Sequence, residues 1–155
     1  MWIRRFVPAD AAGCAEVFYR AVHEGAAAHY SEAQRRAWAP AVPKAQAFAE
    51  RLGGQHCFVA DAEPAIEGFM SLTDRGYLDM AFVAPERRGT GLADQLLSAM
   101  MNVAHLRGLR SLHVDASRLA QPFFARHGWQ VGEAETVSRG GISIPRAAMS
   151  LRLRD

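Results

Sequence analysis

The segment Val83–Ala93 contains residue types that can bind a phosphate-rich anion. Gly89 and Gly91 permit backbone conformations that other residues avoid, and without side chains they let a ligand approach the main chain closely. The segment lies between a predicted strand and a predicted helix, so backbone N–H groups and the positive end of the helix dipole would face the anion. Arg87 and Arg88 add positive charge, and the segment therefore predicts a diphosphate site. The amide groups expected to face the anion are those of Gly89, Thr90, Gly91, Leu92 and Ala93.

A Gly-x-Gly turn before a helix is a weak signal when taken alone, because a tight turn with two solvated arginines has the same pattern. The segment is not a Walker loop, which needs Gly-Lys-Ser/Thr, and it lacks the third glycine of the fingerprint Gly-x-Gly-x-x-Gly. The folds that carry those two motifs alternate strands and helices almost throughout, whereas this chain has three consecutive strands before the segment. The interpretation of the segment therefore depends on the elements around it.

Hydrophobic periodicity predicts an α+β fold whose sheet surrounds this segment. A helix after Val83 leads to a strand that should run parallel to the one ending there, because the three elements form a βαβ unit. We therefore expect a mixed, mostly antiparallel sheet of six to seven strands with about four helices. The predicted strands are Trp2–Val7, Cys57–Ala60, Ile66–Thr73, Tyr77–Val83, Leu112–Asp115, Trp129–Val137 and Ile144–Leu153. The helical signals are an N-cap at Asp10, a capping box at Ser31, and the segments Lys44–Leu52, Leu92–Val103 and the one around Phe123.

Composition and charge exclude several classes of protein. The formal net charge is +2 and the basic residues are scattered, unlike the basic stripe of a nucleic-acid-binding protein. No apolar run approaches the length that spans a membrane, and Met1–Pro8 lacks the apolar region of a signal peptide. Cys14 and Cys57 do not have a metal-binding spacing. We therefore expect a cytoplasmic protein with no metal, no nucleic-acid partner and no membrane association.

Two segments resemble motifs of the GNAT superfamily of N-acetyltransferases. Arg88–Ala93 matches the signature Arg/Gln-x-x-Gly-x-Gly/Ala, which in that family binds the pyrophosphate of coenzyme A. Ala120–Trp129 is similar to the family segment Ala-x-x-Phe-Tyr-x-Lys-x-Gly-Phe. The resemblance covers nearly the whole chain and implies a single GNAT domain, residues 1–155. Three short segments further resemble a small, stand-alone bacterial branch of the family: His29–Ser31, Ala37–Ala39 and Val114–Ser117.

The resemblance implies where acetyl-CoA, the acetyl donor, would bind. In the family the strand ending at Val83 and the strand Leu112–Asp115 splay apart, and the pantetheine arm enters between them. The positions implied to contact the cofactor, besides the glycine turn and its two arginines, are Phe82, Val83, Ala84, Ser117, Phe123, Phe124 and Arg126. Ser117 can equally be a helix cap, and Arg126, a candidate for the 3′-phosphate, can equally be a solvated helix residue.

Asp79 is the leading candidate for the general base. Alternation places it in an otherwise apolar strand, on the face shared with Tyr77, Ala81 and Val83. The resemblance adds that some family members carry a catalytic glutamate at this position. Burial would raise the pKa of Asp79 and let it relay a proton through water. The alternative is a structural aspartate that accepts backbone hydrogen bonds or pairs with an arginine.

The acid that protonates the leaving thiolate is open, because Phe124 stands where the family commonly has a tyrosine. Tyr30 is the candidate replacement, although it can equally be part of the pocket wall. The thiolate can also leave unaided, since the pKa of a free thiol is about 8.5. His113 and Asp115 share one face of their strand and could form a supporting pair, although ordinary structural bonding is at least as consistent.

The sequence thus predicts an acetyl-CoA-dependent N-acetyltransferase in which an amine attacks the thioester directly in a ternary complex. One alternative is a non-catalytic acyl-CoA-binding or sensing module, which the missing tyrosine favours. Another is an interaction domain that no longer binds the cofactor, which the intact glycine turn disfavours. The acceptor would be a small-molecule or peptide amine that the sequence does not identify. The chain would be a monomer or a homodimer.

Overall fold

The computed structural model describes residues 1–153. Arg154 and Asp155, the last residues of the predicted domain 1–155, lie outside the described residues, and a single domain over 1–155 stays a prediction. The strands are β1 (Trp2–Arg5), β2 (His56–Asp61), β3 (Ile66–Leu72), β4 (Leu78–Val83), β5 (Ser111–Ser117), β6 (Gln130–Arg139) and β7 (Ile142–Arg152). The α-helices are α1 (Ala11–Arg20), α2 (Glu32–Trp38), α3 (Ala45–Gly53), α4 (Leu92–Leu106) and α5 (Gln121–Arg126).

The strands form two sheets. In the first, the order is β1-β2-β3-β4, and in the second it is β5-β7-β6, with antiparallel pairing between all neighbours. A two-residue turn, Gly140–Gly141, joins β6 to β7, and φ is +55° and +80° at its two glycines. Positive φ at both central positions is the geometry that fits the twist of a tight hairpin.

β4 and β5 meet at a fork. Tyr77 and His113 form an isolated parallel bridge, and the His113 amide donates to the Gly76 carbonyl at 2.9 Å. Beyond this bridge the two strands belong to different sheets, so a gap opens between them. This is the splayed parallel pair that the sequence predicted. The predicted α+β class with a mostly antiparallel arrangement is confirmed, with seven strands and five α-helices over residues 1–153.

Two apolar cores cover the faces of the first sheet. α4 packs on one face through its apolar stripe, which includes Leu92, Leu96 and Met100, and this core continues onto the second sheet. α1 and α3 pack on the other face around Phe69, which is fully buried. Within residues 1–153, no helix has both the length and the apolar character that crossing a membrane requires.

The helix caps follow the sequence signals in one case and differ in another. Ser31 begins α2 in a capping box: its hydroxyl accepts from the Gln34 amide at 3.1 Å, and the Gln34 side chain accepts from the Ser31 amide at 2.9 Å. Asp10, expected to cap α1, makes no capping bond to that helix. Its carboxylate instead accepts two bonds from Arg4 at 2.8 Å, together with one from the Val7 amide at 2.9 Å.

A β-bulge interrupts the alternation of β4. Ser71 lies opposite Met80 and Leu72 lies opposite Leu78, so Asp79 is the extra residue in the β3–β4 ladder. An extra residue reverses the faces of everything that follows it in the strand. The Asp79 side chain therefore bonds to the α3 side of the sheet, whereas Ala81 packs with the α4 core. The expectation that Asp79 shares a face with Ala81 and Val83 is wrong for this reason.

Candidate active site

The glycine turn before α4 presents unpaired amide groups. φ is +76° at Gly89 and +86° at Gly91, the left-handed region that favours glycine. Gly91 is the N-cap of α4, and the first hydrogen bond along the helix runs from the Gln95 amide to the Gly91 carbonyl at 3.2 Å. The amides of Leu92 and Ala93 precede that bond and make none within residues 1–153. These amides and the positive end of the helix dipole have the geometry that an anion site requires, and binding of a pyrophosphate there stays a prediction.

Thr90 differs from the expectation. Its amide donates to the Arg87 carbonyl at 3.2 Å and its hydroxyl donates to the same oxygen at 2.5 Å. The amide of Thr90 is therefore used within the turn and is not available to the anion. The Leu92 side chain is 1% exposed and packs in the α4 core, so Leu92 can contribute through its amide alone.

The basic side chains near the turn are all engaged. The Arg87 guanidinium forms an ion pair with Glu67, and Arg88 donates to the Gly25 carbonyl at 3.2 Å. Arg126, on α5, lies 3.2 Å from the Asp94 carboxylate. The positive charge expected from these arginines is thus partly neutralised for Arg87 and Arg126.

Two clefts lie along the gap between β4 and β5. The first has a volume of about 680 Å³ and is lined by Arg87, Arg88, Gly89, Gly91 and Ala93 together with the face of α5. We call it the cofactor cleft. The second has a volume of about 440 Å³ and is lined by residues of α1, α3, β4, β5 and the β6–β7 hairpin. We call it the acceptor cleft. The residues that line both clefts are Ala81, Phe82, Ala120 and Phe124.

The backbone of β4 supplies donors to the gap. The Ala84 amide donates to the Glu67 carbonyl at 2.8 Å, so Ala84 directs its amide toward β3. Because hydrogen-bonded and non-hydrogen-bonded pairs alternate along an antiparallel ladder, Phe82 also bonds toward β3. The amide and carbonyl groups of Ala81 and Val83 therefore face the gap. Of the three residues implied to touch the pantetheine arm through their backbone, Val83 fits, whereas the amides of Phe82 and Ala84 are used in the sheet.

Asp79 lines the acceptor cleft, and its carboxylate is fully occupied. Arg51 donates to both oxygens at 2.8 Å, and the Gln55 side-chain amide donates to Oδ2 at 2.8 Å. Burial by itself raises the pKa of Asp79, but the bonds from Arg51 and Gln55 outweigh it and hold the pKa below its ordinary value. The expected raised pKa is wrong for this reason, and the role of Asp79 as a base stays a prediction.

The Tyr30 hydroxyl is bonded on both sides. It donates to the Pro145 carbonyl at 2.6 Å and accepts from the Arg118 amide at 2.8 Å. Burial raises the pKa of Tyr30, while the bond from Arg118 opposes that rise. The residue is 4% exposed and forms part of the acceptor cleft. Its proton is thus shared with a backbone oxygen, and its role as the acid for the thiolate stays a prediction.

The remaining predicted residues divide between the two clefts. Phe123 lines the cofactor cleft, and Phe124, 1% exposed, separates it from the acceptor cleft. Ser117 lines the acceptor cleft, and its hydroxyl accepts from the Ala120 amide at 3.2 Å, as a turn cap does. Contact between these residues and the cofactor stays a prediction.

The sequence reasoning missed several contacts of the acceptor cleft, and it missed Arg146 altogether. Asp115 accepts a hydrogen bond from the Tyr77 hydroxyl at 2.9 Å and does not pair with His113. Arg146 donates to Glu135 at 2.7 Å and lies 3.6 Å from Asp115. These contacts join β5 to the turn before β4 and to the β6–β7 hairpin, so no spacing in the sequence signals them. Among residues 1–153, no three histidine, cysteine or acidic side chains are grouped as a metal ion would require.

Comparison with known proteins identifies the family. The family described as "Acetyltransferase (GNAT) domain" matches residues 26–152. The chain is 34% identical over 139 residues to YafP of Escherichia coli K12, described as an uncharacterized N-acetyltransferase, and the match covers 90% of this chain and 87% of that protein. It is 35% identical to a GCN5-related N-acetyltransferase from Rhodopseudomonas palustris, with a TM-score of 0.91 over 98% of this chain and 95% of the other.

Structures of lower identity share the fold. The yncA protein of Salmonella typhimurium, a putative acetyltransferase solved with acetyl-CoA, has a TM-score of 0.73 at 21% identity, with 100% of this chain and 95% of that chain covered. The family, the fold class and the enzyme class that the sequence predicted all agree with these findings. The chain therefore belongs to the GNAT family, and it is an acetyl-CoA-dependent N-acetyltransferase.

Proposed function

We propose that the chain transfers the acetyl group of acetyl-CoA to an amine by direct attack, while both substrates are bound in the two clefts. The observation that carries this proposal is the shared wall formed by Ala81, Phe82, Ala120 and Phe124. A thioester that enters from the cofactor cleft and an amine that enters from the acceptor cleft would meet at this wall. Because the reactants can meet directly, no residue of the chain has to carry the acetyl group.

The assignment of acetyl-CoA as the acetyl donor is supported by the glycine turn and by the gap between β4 and β5. The amides of Gly91, Leu92 and Ala93 fit a pyrophosphate, and the amide and carbonyl groups of Ala81 and Val83 fit the amide-containing pantetheine arm. The yncA structure with acetyl-CoA shows that a protein of this fold binds that donor. The complete set proposed to contact the cofactor is Phe82, Val83, Ala84, Arg87, Arg88, Gly89, Thr90, Gly91, Leu92, Ala93, Ser117, Phe123, Phe124 and Arg126.

The chemistry asks three things of the chain. Negative charge develops on the thioester oxygen, and the free amide of Ala81 or Val83 is the donor that faces it. The acceptor must be neutral when it attacks, whereas an alkylammonium has a pKa of about 10.4, so a proton has to leave. The thiolate can depart without an acid, because the pKa of a thiol is about 8.5. Phe124, in the shared wall, has no proton to give.

The acceptor would be a small-molecule or peptide amine that fits the acceptor cleft, and the chain would act as a monomer or a homodimer. The aromatic residues Phe18, Trp38 and Phe48 in the cleft wall favour an acceptor with an apolar body.

Release of free coenzyme A, measured with acetyl-CoA and a panel of amines, tests the proposal. We expect double-reciprocal rate plots whose lines intersect, as a ternary complex gives, and no acetylated protein by mass spectrometry. Parallel lines or an acetyl-enzyme would refute direct attack. Tight acetyl-CoA binding without release for any amine would instead indicate a sensing module.

A matched pair of variants, at the N-cap of α5 and within that helix, tests the shared wall. Ala120→Trp places a large ring between the clefts, so we expect kcat/KM for both substrates to fall by about tenfold or more. Ala125→Trp places the same ring on the exposed face of the same helix and should leave kcat/KM close to that of the wild type. Equal rates for the two variants would show that the substrates do not meet at this wall.

A further inference from the structure

We propose that Asp115 is the carboxylate that binds the ammonium group of the acceptor and takes its proton, and that the acceptor is an alkylamine with an aromatic or other apolar body. This inference rests on the proposed direct transfer to an amine and names the residue and the substrate class. It assigns to β5 the role that the sequence suggested for Asp79 on β4.

Asp115 lies where an attacking amine would arrive. It is on β5, across the gap from β4, and it lines the acceptor cleft together with Ser117 on the same face of the strand. It is two residues beyond His113, which forms the fork, so at about 3.3 Å per residue it lies about 7 Å along the gap. The shared wall begins deeper, at Ala81, which is four residues beyond Tyr77 on β4 or about 13 Å at the same rise, so Asp115 lies on the acceptor side of that wall. The Asp115 side chain is 25% exposed, which leaves it accessible from the cleft.

One oxygen of the Asp115 carboxylate is held and the other is available. Oδ2 accepts from the Tyr77 hydroxyl at 2.9 Å, and Arg146 Nη2 is 3.6 Å from the same oxygen. Oδ1 accepts no hydrogen bond from any of residues 1–153. Tyr77 thus acts as a positioning residue that fixes the carboxylate, while Oδ1 can accept from an ammonium group.

The two carboxylates of the cleft differ in this respect. Asp79 receives three hydrogen bonds over both of its oxygens, from Arg51 and Gln55, so an incoming ammonium would have to displace an arginine. The Arg146 guanidinium near Asp115 is bonded to Glu135 at a shorter distance, 2.7 Å against 3.6 Å. Asp115 is therefore the less neutralised of the two anions, and an alkylammonium is attracted to it more strongly.

The other walls of the acceptor cleft favour an amine with an apolar body. Phe18, Trp38 and Phe48 line the side away from β5, and such walls favour an apolar or aromatic body. A carboxylate on the opposite side favours a cation. A primary alkylamine with an aromatic ring has both features, since its nitrogen is protonated in water below its pKa of about 10.4.

The proposed reaction moves one acetyl group and two protons. An N–H bond of the ammonium breaks and the proton moves to Asp115 Oδ1, which leaves a lone pair on nitrogen. That lone pair forms the C–N bond at the thioester carbonyl, the C–S bond breaks, and sulfur keeps the electron pair. The nitrogen then loses a second proton. One of the two protons ends on the thiolate and the other passes to solvent.

The test uses Asp115→Asn with benzylamine, 2-phenylethylamine and tryptamine as acceptors. We expect kcat/KM to fall by about 10²-fold or more for the reactive amines, within the usual range for loss of a general base. In the protein saturated with free coenzyme A, calorimetric affinity for the same amines should fall by about tenfold, because an ion pair is lost. Asp115→Glu should restore part of both. Glu16→Gln removes an exposed carboxylate on α1 that lines neither cleft, and it should change neither.

Tyr77→Phe separates a chemical role from a structural one. It removes the hydrogen bond to Asp115 but keeps the carboxylate, so its rate loss should be much smaller than that of Asp115→Asn. Equal rate losses in the two variants, with equal losses of Tm, would show a structural role and overturn the proposal. Wild-type rates in Asp115→Asn, or binding of none of the three amines to wild type, would also overturn it. A wild-type protein that binds these amines but never releases coenzyme A would refute the proposed function instead.

Discussion

Gly76, the glycine at the fork, should be among the positions where adding a single methyl group lowers the free energy of unfolding the most. φ at Gly76 is +94°, and a Cβ built there would lie 2.6 Å from the Ser111 carbonyl oxygen. Positive φ costs a residue with a side chain about 1–2 kcal/mol, and forcing an atom into a packed site costs about 1–3 kcal/mol. We therefore expect Gly76→Ala to lower the free energy of unfolding by about 3 kcal/mol, or Tm by about 6–12 °C for a chain of this length.

Gly108→Ala is the matched control, because it carries the strained backbone without the collision. φ at Gly108 is +67°, and a Cβ there would meet nothing within 4 Å. Its expected cost is the backbone strain alone, about 1.5 kcal/mol, or about 3–6 °C in Tm. Thermal unfolding followed by calorimetry measures both variants. Equal losses of Tm in the two variants would refute the reasoning. They would show that Ser111 can move away from the added Cβ without a loss of stability, and that the backbone at the fork is easily deformed.

Three further predictions concern the two clefts and the N-terminal ion pair. Gly91→Glu puts bulk and negative charge where the pyrophosphate would bind, so calorimetric affinity for coenzyme A should fall at least about tenfold in a folded protein; unchanged affinity would contradict the phosphate site. Asp79→Asn should lower Tm because Arg51 loses its acceptor, while kcat per folded molecule falls less than tenfold; a loss of about 10²-fold at unchanged Tm would show that Asp79 is the base after all. The hydrogen bonds from Arg4 hold the pKa of Asp10 below its ordinary value of 3.8, although burial opposes them. The carboxylate of Asp10 therefore stabilises the fold fully above pH 3.8, and this stabilisation is lost as the pH falls through the lower folded pKa. The difference in free energy of unfolding between wild type and Asp10→Asn should shrink over that acidic range, and a constant difference down to pH 2 would contradict the assignment.

Local signals in the sequence were sufficient for the fold and for the backbone conformation of the glycine turn. The glycines at 89 and 91 need positive φ, and a strand before them and a helix after them are visible as changes of hydrophobic period. The capping box at Ser31 was predicted for the same reason, because the hydroxyl and its partner are three residues apart. In each case the interactions that determine the local structure join residues only a few positions apart in the sequence.

The chemistry of the acceptor cleft depended on contacts that no local pattern encodes. A bulge of one residue at Asp79 reversed the faces of β4, and a strict alternation cannot show where a ladder slips. The low pKa of Asp79 comes from Arg51, 28 residues away in sequence, and the bond between Tyr77 and Asp115 spans 38 residues. The sequence shows that Arg87 is a cation, but it does not show that Arg87 forms an ion pair with Glu67 on β3.

The fork between β4 and β5 has a consequence for how the molecule unfolds. Between residues 1 and 153 the two sheets share one bridge, so the backbone hydrogen bonds of one sheet do little to protect those of the other. Acetyl-CoA that lies in the gap and forms hydrogen bonds to both strands would hold β4 and β5 together. Local opening of the backbone at Ala81 and Val83 would then require release of acetyl-CoA. Amide hydrogen exchange at β4 and β5 should therefore slow with acetyl-CoA concentration according to RT ln(1 + [L]/Kd), whereas exchange at the far edge in β1 should respond much less. Binding of acetyl-CoA would thus couple the local opening of the first sheet to that of the second.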